Sequence, residues 1–279
     1  MKDFLTYRFV DSPEFINVFD ETPLWSARFG FLLLDHIRLK SEMTVVDIGS
    51  GTGFPLIELA ERLGSSSRIY GIDPWINANH KAKEKIKEYG ITNIKIFEQS
   101  AEIIPLPGHT VDLVTSNLGI NNFKNKNRVL KECFRILKTR GRLAITTNPY
   151  SHWAEFYAVF ESTLKQLNKT VYLEVLKEDQ YHRGTINSVS ELFIKNGFRI
   201  IQSIEDSFCM NFIDGTAFLN HHFVKCGWIE TWFNLFPSED RETIFKTLEE
   251  NLNVLADKQN GLTLTVPMLY LEGKKCRQL

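Results

Sequence analysis

The sequence predicts an α/β fold, a mostly parallel sheet with helices on both faces. Between Thr44 and Thr147, short β-branched runs alternate with amphipathic helical runs at close spacing. Such alternation requires parallel pairing through right-handed crossovers. The first strand-to-helix junction, VVDIGSGTGF, carries Gly49, Gly51 and Gly53. Glycine gives up packing and costs backbone entropy, so this junction needs either positive φ or close approach to bare backbone. Seven strand-like runs follow one another with no internal repeat or low-complexity linker.

In order, TVVDIG is a buried strand, and FPLIELAERLG puts Leu56, Leu59, Ala60 and Leu63 at helical spacing before Gly64 stops it. SRIYGID is the second strand. NANHKAKEKIKEYG is a charged amphipathic helix closed by Gly90, and NIKIFEQS and TVDLVTSN are strands three and four. NRVLKECFRILKTRG reads as a helix with Val129, Leu130, Cys133, Phe134 and Leu137 inward, and GRLAITT as strand five. HWAEFYAVFESTLKQL is a helix followed by a polar loop to residue 188. SVSELFIKNGF is a short helix, RIIQSIEDSF the sixth strand, and 214–258 a helical stretch. GLTLTVPMLYLEGKK is the last strand, with Pro267 suiting an edge or a bulge.

With 279 residues the chain suits one domain carrying insertions. Residues 1–40 form an N-terminal cover, 41–148 the ligand-binding core, 149–188 and 210–258 insertions, and 189–209 and 259–279 the remaining core. Both insertions leave the C-terminal ends of strands five and six, where ligands sit in an open α/β sheet. They read as a helical lid. The stretch FINVFDETPLWSARFGFLLLDHI either folds over the same mouth or packs on the sheet as a helical layer.

Composition excludes several classes. Lys and Arg total 33 against 34 Asp and Glu, so no global charge points to nucleic acid or an anionic membrane. Cys133, Cys209, Cys226 and Cys276 are scattered without a CxxC pair. That fits neither a disulfide framework nor a zinc site, and suggests a reducing, cytoplasmic compartment with no metal. MKDFLTYRFVDSPEF lacks the apolar core of a signal peptide, and no run is long and apolar enough to span a membrane. Oligomeric state is left open. The 21 Phe suit a core or a dry, aromatic-lined cavity.

Two ligands use a glycine turn of this kind. A dinucleotide site prefers G-x-G-x-x-G, with a pyrophosphate on the helix N-terminus. Here Asp47 precedes Gly49, Gly51 and Gly53, and Phe54 follows them. S-adenosylmethionine presents an ammonium and a carboxylate in place of a pyrophosphate, so an acid beside bare amides suits it better. GIDPW places Asp73 and Pro74 at the end of strand two, where a carboxylate accepts ribose hydroxyls or caps the next helix. Ser100, Ala101 and Glu102 follow strand three, near where an adenine would lie.

The order D-I-G-S-G-T-G, G-I-D, S-A-E-x-x-P-L-P, V-D-L-V and R-I-L-K-x-x-G resembles the class I S-adenosylmethionine-dependent methyltransferases. It is most similar to the small-molecule group that includes ubiquinone- and menaquinone-biosynthesis enzymes. The likeness covers about residues 40–147 and thins afterwards. It implies a Rossmann-like seven-stranded sheet with an antiparallel last strand. It also implies that Asp47, Gly49, Ser50, Gly51 and Gly53 hold the methionine part of S-adenosylmethionine, Asp73 and Pro74 the ribose, and Ser100, Ala101 and Glu102 the adenine. Asn117 lies beside the expected methyl. Relatives commonly carry Asp where this chain has Ser100, which removes a charge from the adenine contact.

Methyl transfer from a sulfonium is an in-line displacement that needs alignment and exclusion of water, and a base only for a protonated acceptor. Candidate bases are His152, His221 and His222; candidate acceptor contacts are Trp25, Asn121, Trp153, Tyr157, Tyr181 and Trp228, with His182 and Asn220 beside them. SNLGIN after strand four differs from the Asn/Asp-Pro-Pro-Tyr of nucleic-acid amino-methylating enzymes, and NPY lies after strand five instead. Scattered thiols disfavour arsenite as acceptor. The expected reaction is methyl transfer to a small apolar or aromatic metabolite. A catalytically inactive S-adenosylmethionine-binding sensor or subunit, and a nicotinamide oxidoreductase, are the alternatives.

Overall fold

Strand β1, Thr44–Ile48, is buried from Val45 onward, as a β-branched run without alternation should be when helices cover both faces of its sheet. The computed structural model describes residues 3–20 and 24–276. Parts of the expected N-terminal cover and of the 259–279 segment therefore lie outside the described residues. Strands β2 (Arg68–Ile72), β3 (Ile94–Phe97), β4 (Val111–Asn117), β5 (Leu137–Thr147), β6 (Phe198–Phe212) and β7 (Leu262–Lys275) complete one sheet. Its order is β3-β2-β1-β4-β5-β7-β6. β1 pairs in parallel with β2 and β4, β2 with β3, and β4 with β5, while β7 runs antiparallel to β5. This is the Rossmann-like sheet with a reversed last strand. The order turns back between β1 and β4, and in an open sheet a crevice forms at that switch. Register places Asp47 level with Gly71 on one side and Thr115 on the other.

The chain divides into two compact units. The first, the sheet unit, holds 11–148, 185–205 and 268–279. Helices α3 (Leu56–Leu63), α4 (Ile76–Glu88), α5 (Lys126–Ile136) and α8 (Ile186–Lys195) belong to it, with α1 (Pro13–Asp20) and α2 (Leu24–His36). α3 buries Leu56, Ile57, Leu59, Ala60 and Leu63, and Gly64 ends it at φ +66° with its N–H on Ala60 O. Val46, Ile48, Val114, Leu130, Cys133, Leu143, Phe193 and Leu271 share one core.

Local expectations are refined at three places. The helix expected through KTRG ends at Ile136, because the Leu137 backbone turns extended and enters β5 directly. The tight turn survives inside the strand, with Arg140 at φ +70° and a register break between the Val111–Leu137 and Leu113–Arg142 pairs. β7 is an interior strand and β6 the edge; Pro267 is tolerated because the ladder to β5 starts at Leu269. β6 runs from Phe198 to Phe212, longer than the sixth strand expected.

The second, the helical unit, gathers Met1–Val10, Pro149–Gly184 and Asp206–Pro267. It contains α6 (Ala154–Gln166), α7 (Leu173–Tyr181), α9 (Gly215–Asn220), α10 (His222–Val224), α11 (Glu230–Phe233) and α12 (Ser238–Gln259). The polar loop expected before residue 188 holds α7, a helix that buries Leu176 and Gln180. The helical stretch 214–258 breaks at His221, passes through a π-helical turn at Lys225–Ile229, and breaks again before Ser238. Its core is aromatic. Phe156 stacks on Trp232 with centroids 4.6 Å apart, and Trp153 meets Phe218 edge-on at 5.0 Å. Offset and edge contacts of this kind add to area burial, which accounts for the Phe-rich C-terminal third.

Candidate functional site

Asp47 ends β1 with no exposed surface. Its Oδ1 accepts from Thr115 Oγ1 at 2.7 Å, while Oδ2 has no hydrogen-bond partner. Burial, opposed by the Thr115 hydrogen bond and aided by the neighbouring Asp73 charge, pushes its carboxyl up to about 7. A buried carboxylate with one empty oxygen calls for a cationic partner. Ser50 Oγ, beside it in the loop, is likewise buried without a partner.

The glycine loop is folded against the loop after β4. A Cβ on Gly49 would lie 2.9 Å from Gly119 Cα, and Gly49 has φ +74°. Leu118, left-handed at φ +63°, makes the turn that presents Gly119; its N–H is held on Thr146 O at 3.0 Å. Gly51 is different: at φ +50° its absent Cβ would meet nothing within 4 Å. The backbone there faces open space. Phe54, standing where a dinucleotide loop has its later glycine, packs its ring on α2. A Cβ on Gly30 would come 2.1 Å from that ring.

Asp73 follows β2. Its Oδ2 accepts from Gly51 N and its Oδ1 from Trp75 N, both at 2.8 Å. Of its two expected roles the structure shows the cap: this carboxylate orders the glycine loop and the start of α4, and lone pairs remain on its oxygens. Burial raises its pKa, against the two backbone hydrogen bonds. Pro74 is exposed. Asn79 supports Asp73 from below, donating Nδ2 to Asp73 O at 2.8 Å, and its own Oδ1 is buried without a partner. Asp11 binds Trp75 Nε1 and Asn77 Nδ2, and Phe19 packs on Trp75, so α1 and the residues before it lie against the start of α4. After β3, Ser100 is exposed with its Oγ accepting from Glu102 N at 3.2 Å, Ala101 is buried, and Glu102 O accepts from Arg128 Nε.

Beyond β4 and β5 the chemistry is neutral. Asn117 Oδ1 accepts from Thr146 Oγ1 at 2.7 Å, and its Nδ2 donates to Ser26 O in α2 at 3.0 Å. Asn121 Oδ1 accepts from Thr147 Oγ1 at 2.5 Å, and its Nδ2 donates to Asn148 Oδ1 at 2.6 Å. Asn148 Nδ2 is buried without a partner. Thr146, Thr147, Asn148 and Asn79 escaped the sequence reading. The signal was faint, a TTN run closing strand five opposite the Asn-rich close of strand four. Trp25 packs on Phe29 within α2 of the same unit.

The remaining candidates belong to the helical unit. His152 is buried with its ring 4.2 Å from Trp153 and 5.8 Å from Trp228. Burial, with Arg183 nearby, holds its pKa well below the usual imidazole value, so it is neutral at pH 7. Trp153 and Tyr157 are core residues; Tyr157 OH donates to Asp179 and accepts from Trp232 Nε1. Tyr181 is exposed and stacks on Tyr150 at 4.2 Å. Asn220 Oδ1 receives Phe4 N. Burial lowers the pKa of both His221 and His222, and His221 meets Phe212 edge-on. The structure thus unites Asp47, Ser50, Gly51 and Asp73 in one cradle, and His152, Trp153 and Trp228 in one aromatic cluster of the other unit. Among the described residues no group of three His, Cys, Asp or Glu could hold a metal, and no helix is long and apolar enough to cross a membrane.

A family profile described as "Methyltransferase domain" matches residues 39–205. The demethylmenaquinone methyltransferase of Lactococcus lactis subsp. lactis is 29 % identical over 204 residues, which cover 69 % of this chain and 78 % of that protein. That of a Geobacillus species is 36 % identical over 110 residues, 39 % of this chain and 47 % of that one. Among solved structures, the YcgJ protein from Bacillus subtilis superposes with a TM-score of 0.59 at 14 % identity, covering 90 % of this chain and all (100 %) of that one. A SAM-dependent methyltransferase from Aquifex aeolicus gives 0.55 at 22 % identity over 70 % of this chain and 93 % of that one. At such identities the structural likeness speaks for the fold alone.

Proposed function

Since the chain belongs to the methyltransferase domain family and is an S-adenosylmethionine-dependent methyltransferase, we propose that its acceptor is a small, largely apolar or aromatic metabolite of the hydroquinone kind, methylated by in-line displacement. One observation carries this reading: the side chains that meet beyond β4 and β5, Asn117, Asn121, Thr146, Thr147 and Asn148, include no titratable group. A site so furnished aligns an acceptor by hydrogen bonds and leaves its proton alone. It suits a phenol- or enol-type acceptor, which is acidic enough to react with little help. The reduced, hydroquinone form of the demethylmenaquinone named in the relatives has that chemistry.

S-adenosylmethionine, when bound, supplies a methyl on a cationic sulfur with a good leaving group. The residues fit it. Asp47 Oδ2 would take the ammonium, the Ser50 and Thr52 amides of the loop the carboxylate, Asp73 the ribose hydroxyls, and Ser100 to Glu102 the adenine. Asn117 would help to hold the mouth between β4 and α2 in shape. His152, kept neutral by burial, and His221 and His222 are not required for the transfer. The two insertions would serve as a lid, and the free thiols suit a reducing cytoplasm.

Incubating the full chain with methyl-labelled S-adenosylmethionine and a panel of naphthohydroquinones, catechols, amines and carboxylates tests the reading. Label should enter the hydroquinones, with S-adenosylhomocysteine formed in equal amount. Tight cofactor binding with no transfer to any member would favour the sensor reading.

A further inference from the structure

Three side-chain amides gather where β4 and β5 end, and their hydrogen bonds have a direction. Asn117 is engaged at both ends, its Oδ1 accepting from Thr146 Oγ1 and its Nδ2 donating to Ser26 O. In a second chain Thr147 Oγ1 donates to Asn121 Oδ1, and Asn121 Nδ2 donates to Asn148 Oδ1. Each link donates to the next, so the chain ends on the Asn148 Nδ2 group. Asn148 is 2 % exposed, and among the described residues nothing accepts from its Nδ2. A buried N–H without an acceptor is costly to fold. Successive hydrogen bonds also polarise one another, which strengthens the last donor. Neither a carboxylate nor an imidazole takes part in these bonds.

We propose that Asn148 Nδ2 donates to an oxygen of the methyl acceptor and stabilises that oxygen as an anion, which makes Asn148 a catalytic residue and Asn121 and Thr147 the residues that position it. The assignment rests on the acidic-hydroxyl acceptor proposed above. An N–H donor binds a charged oxygen about twice as strongly as a neutral one, so it draws the acceptor toward ionisation in a site that excludes water. No side chain takes the proton, which leaves to water. The electron pair of the ionised acceptor then forms the bond to the methyl carbon, and the pair of the carbon–sulfur bond stays on sulfur. An oxyanion has lone pairs enough for the donor and the reaction. A neutral amine has one, and a donor seated on it opposes transfer, so the same group selects against amines.

Spectrophotometric pH titration of 4-nitrophenol bound to the full chain tests this, because phenol and phenolate absorb differently and no turnover is needed. Wild type should ionise the bound probe at a pH about one unit lower than Asn148→Ala does, the roughly tenfold worth of a hydrogen bond to a charged group. Asn148→Asp keeps the oxygen that Asn121 binds and replaces the donor by a second oxygen; it should raise the probe's pKa at least as far. Thr147→Val, which unties Asn121, should give a smaller rise. Asp47 on β1, Arg28 on α2 and, next along the chain, Tyr150 and His152 are present in every variant, so the differences report the amide. In turnover, Asn148→Ala should lose up to about tenfold below the acceptor's pKa and nothing above it, whereas a merely structural role lowers the rate at every pH. Absence of probe binding by wild type, an equal probe pKa in a folded Asn148→Ala, or a lower one, as when Asn148 turns its oxygen to a neutral hydroxyl, overturns the proposal. Hydroquinone methylation with an unmoved probe removes the donor and leaves the acceptor class standing; a shifted probe with no hydroquinone methylated does the reverse.

Discussion

The two halves of the sheet's ligand-binding end differ in charge. At β1 and β2 the polar side chains are carboxylates, Asp47 and Asp73, both raised in pKa by burial. At β4 and β5 they are amides and hydroxyls that mostly satisfy one another. The first half is costly to fold and rewards a cation. The second costs little and holds shape. The proposed function assigns binding energy and alignment to opposite sides of the β1–β4 switch point, and substitutions on the two sides should then have different signatures.

The largest effect is expected at Asp47. Asp47→Ala should weaken S-adenosylmethionine binding by about 100-fold in calorimetry, the scale of a lost charge-assisted contact. Asp47→Asn should do nearly the same yet raise thermal stability at pH 8. The folded carboxyl titrates at about 7 against 3.8 when unfolded. It therefore favours the folded state most below 3.8, and that advantage is lost as pH rises through 7. A lower melting temperature for Asp47→Asn at pH 8 would contradict this origin.

The same titration gives a pH dependence of about tenfold per unit. Below about 7 a protonated Asp47 offers no charge to an ammonium, so log Kd for the cofactor should rise by one per unit as pH falls, and flatten above 7. Asp47→Asn should lack the slope. If wild type also lacks it, another group receives the ammonium. Asp73→Ala should weaken cofactor binding by about tenfold and lower the melting temperature, since the Gly51 and Trp75 amides lose their acceptor as well.

On the neutral side the effects should be smaller and kinetic. Asn148→Ala should lower kcat by roughly three- to tenfold with cofactor Kd unchanged; a change in Kd alone would erase the contrast between the halves. Ser100→Asp should tighten cofactor binding by about two- to threefold, adding a charged acceptor where the hydroxyl is now spent on Glu102 N.

Residues whose role is set within one turn were legible in the sequence. Asp47 and the glycines stand out because a strand end, positive φ and bare backbone are local requirements, and Asp73 because it closes the neighbouring strand. Asn148, Thr146, Thr147 and Asn79 were not, since a neutral polar residue at a strand end looks like any turn until pairing brings it against another. The π-helical turn left no composition signature. His152, Trp153 and Trp228 were visible as residue types, but neither their common cluster nor the protonation of His152 is encoded locally. Strand seven was read correctly as a strand, while Pro267 left its place in the sheet open between an edge and a bulge, because alternation reports faces and says nothing of neighbours.

By itself the sequence determined the α/β class, the order of its seven strands along the chain, and the loop that needs unblocked amides, because period, β-branching and glycine act over a few residues. Only the tertiary structure decided that β7 lies inside β6, that the insertions and residues 3–10 form an aromatic unit of their own, and that Asp47 keeps one oxygen free. Those outcomes depend on which distant surfaces meet and how much water they exclude, and desolvation is a property of the assembled neighbourhood rather than of any residue in it.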